Sequence, residues 1–274
     1  MPITAKDQPK IALVTGAAHR VGAVLARRLA AAGYAVVVHY RHSRKTAEAV
    51  AGDIAAAGGR AATVQADLAD RTQRGRLIPA AAAAFGPLTV LVNSASLFER
   101  DSIFDVDEKL WDAHFAIHAE APVFLARDFA AQLPDGAEGN IINIIDERVL
   151  HLSPAYFSYT LSKATLWTAT QTLAQSLAPR IRVNAIGNGP TLPHKGQTQA
   201  QFEASADYAP LRRNTDPQQI ADAALFLLAA PAVTGQMIAL DGGRHIEWPA
   251  RSGPTPAKWP RPARNPATRS SAIS

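Results

Sequence analysis

A short apolar run, Lys10–Thr15, ends in Gly16 and gives way to Val21–Ala32, a helical stretch stopped by Gly33. An apolar run that breaks at glycine and enters a helix within a few residues reads as a buried strand, a tight turn and a covering helix. The alternation continues along the chain. Further strands are predicted at Ala35–Tyr40, Ala61–Gln65, Leu88–Asn93, Asn140–Ile145, Ile181–Ile186 and Met237–Leu240. Helices are predicted at Thr46–Ala57, Arg71–Phe85, Glu108–Leu133, Tyr156–Ala178 and Pro217–Leu228. Valine-rich strands separated by helices of this length imply an α/β fold, with seven parallel strands covered by helices on both faces.

The 274 residues suffice for one such domain, expected over residues 1–248, and would cramp a second. Residues 249–274 read as a separate basic tail with six prolines, which exclude a helix or a central strand. Arg251, Lys258, Arg261, Arg264 and Arg269 lie there without any acid, and they account for the whole net charge of +5. The folded part is therefore electrically balanced. No nucleic-acid or membrane partner is expected of it. The absence of cysteine excludes disulfides, thiol nucleophiles and zinc–thiolate sites, and it suits a reducing cytoplasm. No apolar run approaches the ~20 residues of a membrane span, and Met1–Lys10 lacks the apolar stretch of a secretory signal.

The turn Thr15-Gly16-Ala17-Ala18-His19-Arg20-Val21-Gly22 follows the first strand and opens the first helix. Free N–H groups and the positive end of a helix then face a diphosphate. After the second strand, an NAD site would carry a carboxylate about 20 residues beyond the glycines. Here the segment is His39-Tyr40-Arg41-His42-Ser43-Arg44, without an acid and with several donors. Cations and hydroxyls suit a 2′-phosphate, so NADP(H) is the expected cofactor. Asp67, after the third strand, is placed to accept from an adenine amino group.

Tyr159 and Lys163 stand four residues apart, on one helix face. A phenol titrates near pH ~10, and a neighbouring ammonium is expected to lower it toward acid–base use. Together, Thr15–Gly22, Asp67-Leu68, Asn93-Ser94-Ala95, Tyr159–Lys163, Arg182-Val183-Asn184 and Leu240-Asp241-Gly242-Gly243 resemble the short-chain dehydrogenase/reductase family over about Lys10 to Glu247. The resemblance implies a Rossmann-type fold and a homotetramer. It also implies a cofactor site of Gly16, Arg20, Val21, Gly22, Tyr40, Arg41, His42, Ser43, Asp67, Leu68, Asn93, Ala95 and Lys163.

Within the family the chain is most similar to the pteridine reductase and dihydromonapterin reductase branch. Arg20 stands where most relatives have the middle glycine of the loop, and His39–Ser43 matches the branch's 2′-phosphate segment. Asn93-Ser94-Ala95-Ser96-Leu97-Phe98 ends in an aromatic that, by resemblance, stacks on a pterin. Asp146 occupies the place of the usual catalytic serine. Reducing a ring C=N needs a proton delivered to nitrogen, and an Asp–Tyr pair can relay one. The resemblance thus implies catalysis by Tyr159, Lys163, Asp146 and His118, with Arg20, Ser96, Phe98, Asp146 and Tyr159 holding a pterin.

Three positions depart from the family pattern. His118 replaces the asparagine that organises water near the lysine, so it is either part of the proton relay or packed. Asn188 replaces a proline, which is expected to loosen the loop near the nicotinamide, and Ser94 replaces a second asparagine. His114 and His118 have the spacing of paired metal ligands on a helix, but no glutamate follows the first and no third ligand is evident, so no metal is expected. Thr191–Pro210 shows no readable pattern. Two other functions stay open: a carbonyl or 3-oxoacyl thioester reductase, and an NADP-binding regulatory protein with decayed catalysis.

Overall fold

The computed structural model describes residues 8–247; the proposed tail, 249–274, lies outside the described residues. Seven strands form one sheet: β1 (Ile11–Val14), β2 (Ala35–Tyr40), β3 (Arg60–Gln65), β4 (Val90–Asn93), β5 (Gly139–Ile144), β6 (Ile181–Asn188) and β7 (Met237–Leu240). Their order is β3-β2-β1-β4-β5-β6-β7, and every neighbouring pair is parallel. The chain leaves β1 toward β2 and β3, then returns to place β4 on the other side of β1. That reversal opens a crevice beyond the carboxyl ends of β1 and β4, where ligands bind in sheets of this kind.

Side-chain alternation divides the core in two. Ala12, Val14, Val36, Val38, Val92 and Ile142 pack under α1 (Arg20–Ala31), α2 (Arg44–Ala56) and α8 (Pro217–Ala229). Ile11, Leu13, Val37, Leu91, Ile141 and Val183 pack under α3 (Arg71–Phe85), α5 (Ala121–Gln132) and α6 (Phe157–Leu177). Both faces are covered, as predicted, and β1, β2 and β4 are buried throughout.

Two expectations are corrected. The helix predicted over Glu108–Leu133 is three pieces: α4 (Glu108–Phe115), a π-helical turn (Ala116–Glu120) and α5. Pro122 has no N–H to donate four residues back, and the Ala121 N–H reaches Ala116 O, a π-type bond. The segment 191–210 also has structure, a short helix α7 (Gln199–Ala204) running into a 3₁₀ turn (Ser205–Tyr208). The Thr198 side chain and Gln201 cap that helix reciprocally, a signal present in the sequence as T-x-x-Q. Among the described residues no helix is long and apolar enough to cross a membrane.

Candidate active site

The glycine turn is held by close contact. Gly16 has φ +65°, and a Cβ there would lie 2.8 Å from Ala95 Cα. A Cβ on Gly22 would lie 2.4 Å from Gly16 O. The Thr15 hydroxyl accepts from the N–H groups of Ser94 and Ala95, both at 3.0 Å, and so joins the turn to the segment after β4. At the start of α1, His19 makes no side-chain cap bond and the first turn holds no acid. Val21 packs on the core beside it. This is a cradle that only glycine leaves open, with helix N–H groups facing it.

Arg20 does not point its donors into the cradle. Its guanidinium donates to the carbonyls of Pro193 at 2.8 Å and Leu192 at 3.1 Å, fastening the turn to the loop after β6. The expected part of Arg20 in holding a cofactor or a pterin would require these bonds to exchange.

Beyond the buried end of β2 the chain comes to the surface. Arg41 and His42 are exposed, and Ser43 is the N-cap of α2 without a side-chain cap bond. No acid lies in the first turn of α2. Arg41 Nε pairs with Asp67 at 3.0 Å, so two residues assigned separately to a cofactor hold each other across the site. Such a half-exposed pair costs little to exchange. Tyr40 and Leu68 instead have their side chains in the core.

His39 is likewise structural. The Gly16 N–H donates to Nδ1 at 3.0 Å, so Nε2 carries the proton and donates to Ala66 O at 3.1 Å. Burial pushes its pKa down to about 4. Between pH 6.5 and 4 the unfolded chain binds the extra proton and the folded chain does not, so stability falls on acidification through that window. The contribution is about 3 kcal/mol. Urea midpoints of the wild type and His39→Gln, compared at pH 7 and pH 4, should converge in acid. A constant difference would place the titration elsewhere.

On the other side of the crevice, α6 carries Tyr159 and Lys163, both buried. Lys163 Nζ donates to Ile144 O at 2.9 Å, and desolvation lowers its pKa to about 8 against the pull of Asp146. The Tyr159 hydroxyl donates to Asp146 Oδ2 at 2.9 Å. Asp146 follows β5 and starts the 3₁₀ turn Glu147–Val149, accepting the Arg148 N–H on Oδ1 at 2.9 Å. Burial raises the Asp146 pKa, opposed first by Arg148. Tyr159 is raised well above the ordinary phenol value, by burial and then by the charge of Asp146. The expected lowering by Lys163 is thus reversed: burial, and then the carboxylate, favour a neutral phenol.

His118 has both ring nitrogens engaged. The Leu97 N–H donates to Nε2 at 3.1 Å, with the Ser96 hydroxyl 3.0 Å from the same atom. The proton is therefore on Nδ1, donated to Ser162 Oγ at 2.9 Å, and Ser162 donates to Tyr159 O. Burial and Lys163 hold the pKa well below the usual histidine value. Of the two readings open for His118, this geometry corresponds to packing: a neutral clamp between the Ser96 segment and α6.

His114 repeats the pattern one turn away, with Nδ1 2.7 Å from Ser158 Oγ, and the two imidazoles stack at 5.6 Å. Ser158 donates through its hydroxyl and its N–H to the buried carboxylate of Asp101. Asp101 and Ser158 stand outside the motifs read in the sequence, where His114 figures only in the metal-ligand spacing. Their signal was S-x-x-x-S on α6 matching H-x-x-x-H on the helix beside it.

Phe98 meets Tyr159 edge-on at 4.8 Å and stacks on Tyr156 at 4.3 Å, so the predicted platform does lie against the phenol with one face already covered. Asn93 donates to Asn143, and Asn143 to Thr170, tying β4, β5 and α6 together. Asn188 braces its loop, donating to Gly189 O at 3.1 Å and Thr191 Oγ1 at 3.2 Å, where loosening was expected.

Known proteins resemble this chain over most of its length. The family model described as Enoyl-(Acyl carrier protein) reductase matches residues 16–245. FolM alternative dihydrofolate reductase 1 from Brucella canis, solved with NADP, is 44% identical, with a TM-score of 0.86 over 92% of this chain and 99% of that one. The corresponding Brucella suis protein, also in complex with NADP, is 45% identical, with a TM-score of 0.85 over 89% and 98%. A 3-oxoacyl-[acyl-carrier-protein] reductase from Synechocystis is 31% identical over 85% of this chain and 96% of its own. With a glycine cradle at β1, a buried tyrosine–lysine pair on α6 and a matching family model over most of its length, this chain belongs to the short-chain dehydrogenase/reductase family.

Proposed function

We propose that this protein is an NADPH-dependent reductase of a pterin ring, of the dihydrobiopterin, dihydromonapterin or dihydrofolate type. The observation that carries the reading is the Tyr159–Asp146 hydrogen bond at 2.9 Å, with the Phe98 ring beside it. NADPH, when bound, supplies a hydride to the carbon of a C=N bond. The protein then has one task, delivery of a proton to the nitrogen. Tyr159 gives up its hydroxyl proton and regains one from protonated Asp146, leaving a carboxylate that solvent reprotonates. Lys163 keeps positive charge near the phenol, and Phe98 and Ser96 flank the ring. Gly16, Val21, Gly22, Asn93 and Ala95 would shape the cofactor cradle; Arg41, His42 and Ser43 would hold the 2′-phosphate. A cytoplasmic homotetramer completes the proposal.

The second reading, a carbonyl or 3-oxoacyl reductase, is favoured by relatives such as the Synechocystis enzyme. Following NADPH absorbance with dihydropterins and with ketones decides between them: turnover of ketones alone would overturn the pterin reading. A cofactor test is independent of substrate. Charge-assisted bonds from Arg41, His42 and Ser43 are each typically ~1.5–3 kcal/mol before desolvation. Fluorescence titration should therefore give much tighter binding of NADPH than NADH, and equal affinities would sink the 2′-phosphate assignment.

A further inference from the structure

Arg148 lies where no family motif directed attention. Its backbone N–H donates to Asp146 Oδ1 at 2.9 Å, and its side-chain Nε is 3.9 Å from the same oxygen. The guanidinium rests over the Tyr156 ring at 4.7 Å and faces Phe98 at 6.0 Å. The two rings are themselves stacked, so the cation has a fixed seat. Only 21% of the Arg148 side chain and 15% of the Asp146 side chain are exposed, which leaves little water to screen them.

We propose that Arg148 is a positioning residue that sets the proton affinity of the Asp146–Tyr159 pair. The inference rests on the reading in which that pair delivers the proton. Burial alone drives Asp146 toward the neutral acid and holds the phenol proton too tightly to give up. A cation fixed beside Oδ1 opposes both tendencies and brings the pair back toward a working range. Of the other charged or titratable groups that face the pair, Lys163, on α6, also lowers the Asp146 pKa, but less than Arg148, with its ammonium bonded to Ile144 O. His118 and His114, on the helix packed against α6, have their pKa values lowered by burial. Glu147, next in the chain, pairs with Arg244 at 3.4 Å, titrates near 7, and itself adds negative charge beside Asp146.

The test is the pH profile of kcat/KM for a dihydropterin with saturating NADPH. Activity falls at high pH as the acid loses its proton. Arg148→Met keeps the length and packing but removes the charge, so the falling limb should move up by ~1 pH unit. Arg148→Lys should return it toward the wild-type position. Glu147→Gln assigns the limb: it persists if the Asp146–Tyr159 pair titrates. A loss of kcat/KM equal at every pH, a limb that moves down, or a limb abolished by Glu147→Gln overturns the inference. Activity indifferent to Asp146→Ser overturns the underlying reading as well, so the two failures are told apart.

Discussion

Tyr159→Phe is expected to lower kcat by ~10²–10⁴ while leaving the dissociation constant for NADPH nearly unchanged. The substitution removes one oxygen and keeps the ring. The edge-on contacts to Phe98 at 4.8 Å, His118 at 5.2 Å and His114 at 5.8 Å are therefore retained, and so is the wall they form. What disappears is the only proton donor in hydrogen-bond contact with Asp146 Oδ2 among the described residues. The buried carboxylate loses a partner, which pushes Asp146 further toward its neutral acid. That acid has no hydroxyl through which to pass its proton. NADPH oxidation rates, cofactor titration and far-ultraviolet circular dichroism measure the three quantities. A folded variant that retains most of its turnover would place the chemistry away from α6.

Asp146→Ser is the sharper discriminator, because its sign depends on the substrate. Hydride addition to a C=N bond builds negative charge on nitrogen, and the proton must arrive as that charge forms. Removing the carboxyl breaks the path that recharges Tyr159, so pterin turnover should fall by ~10²–10⁴ with little change in NADPH affinity. For a ketone the expectation reverses. A serine hydroxyl at the end of β5 can hold a carbonyl oxygen beside the phenol, so ketone turnover should hold or rise. Serine also relieves a buried acid whose proton affinity is raised by desolvation, so the fold should not suffer. The same variant assayed with a dihydropterin and with a ketone compares the two in one preparation. Pterin turnover unchanged by serine would remove the main ground for the pterin reading.

Much of the fold was legible because it depends on local rules. Ala35–Tyr40, Arg71–Phe85 and Met237–Leu240 end where their apolar patterns end, and the structure has the same bounds. The glycine turn and the Tyr159–Lys163 spacing were legible for a similar reason: each lies within one turn of chain. What escaped was long-range. Asp101 holds the start of α6 from 57 residues away, and no periodicity announces a carboxylate serving as a remote cap. The serine–histidine pairs lie 44 residues apart and emerge only when two helices are laid side by side. The direction of the Tyr159 shift also escaped, because it depends on burial of the phenol and on the Asp146 carboxylate beside it, which only the fold brings together. The π-turn was hidden for the opposite reason. Pro122 was visible, but a helix can absorb a proline by widening one turn as well as by ending.

The Thr15 hydroxyl that accepts from Ser94 and Ala95, with the close approach of Gly16 to Ala95, makes the two halves of the crevice a single mechanical part. The strand end that shapes the cofactor cradle cannot shift without carrying the segment that leads to Ser96 and Phe98. A shift that an occupant of one half imposes on this part is felt in the other, and thermodynamic reciprocity makes any resulting change in affinity equal in both directions. An alteration of Thr15 or Gly16 should be read in the coupling between cofactor and substrate binding as well as in either affinity alone.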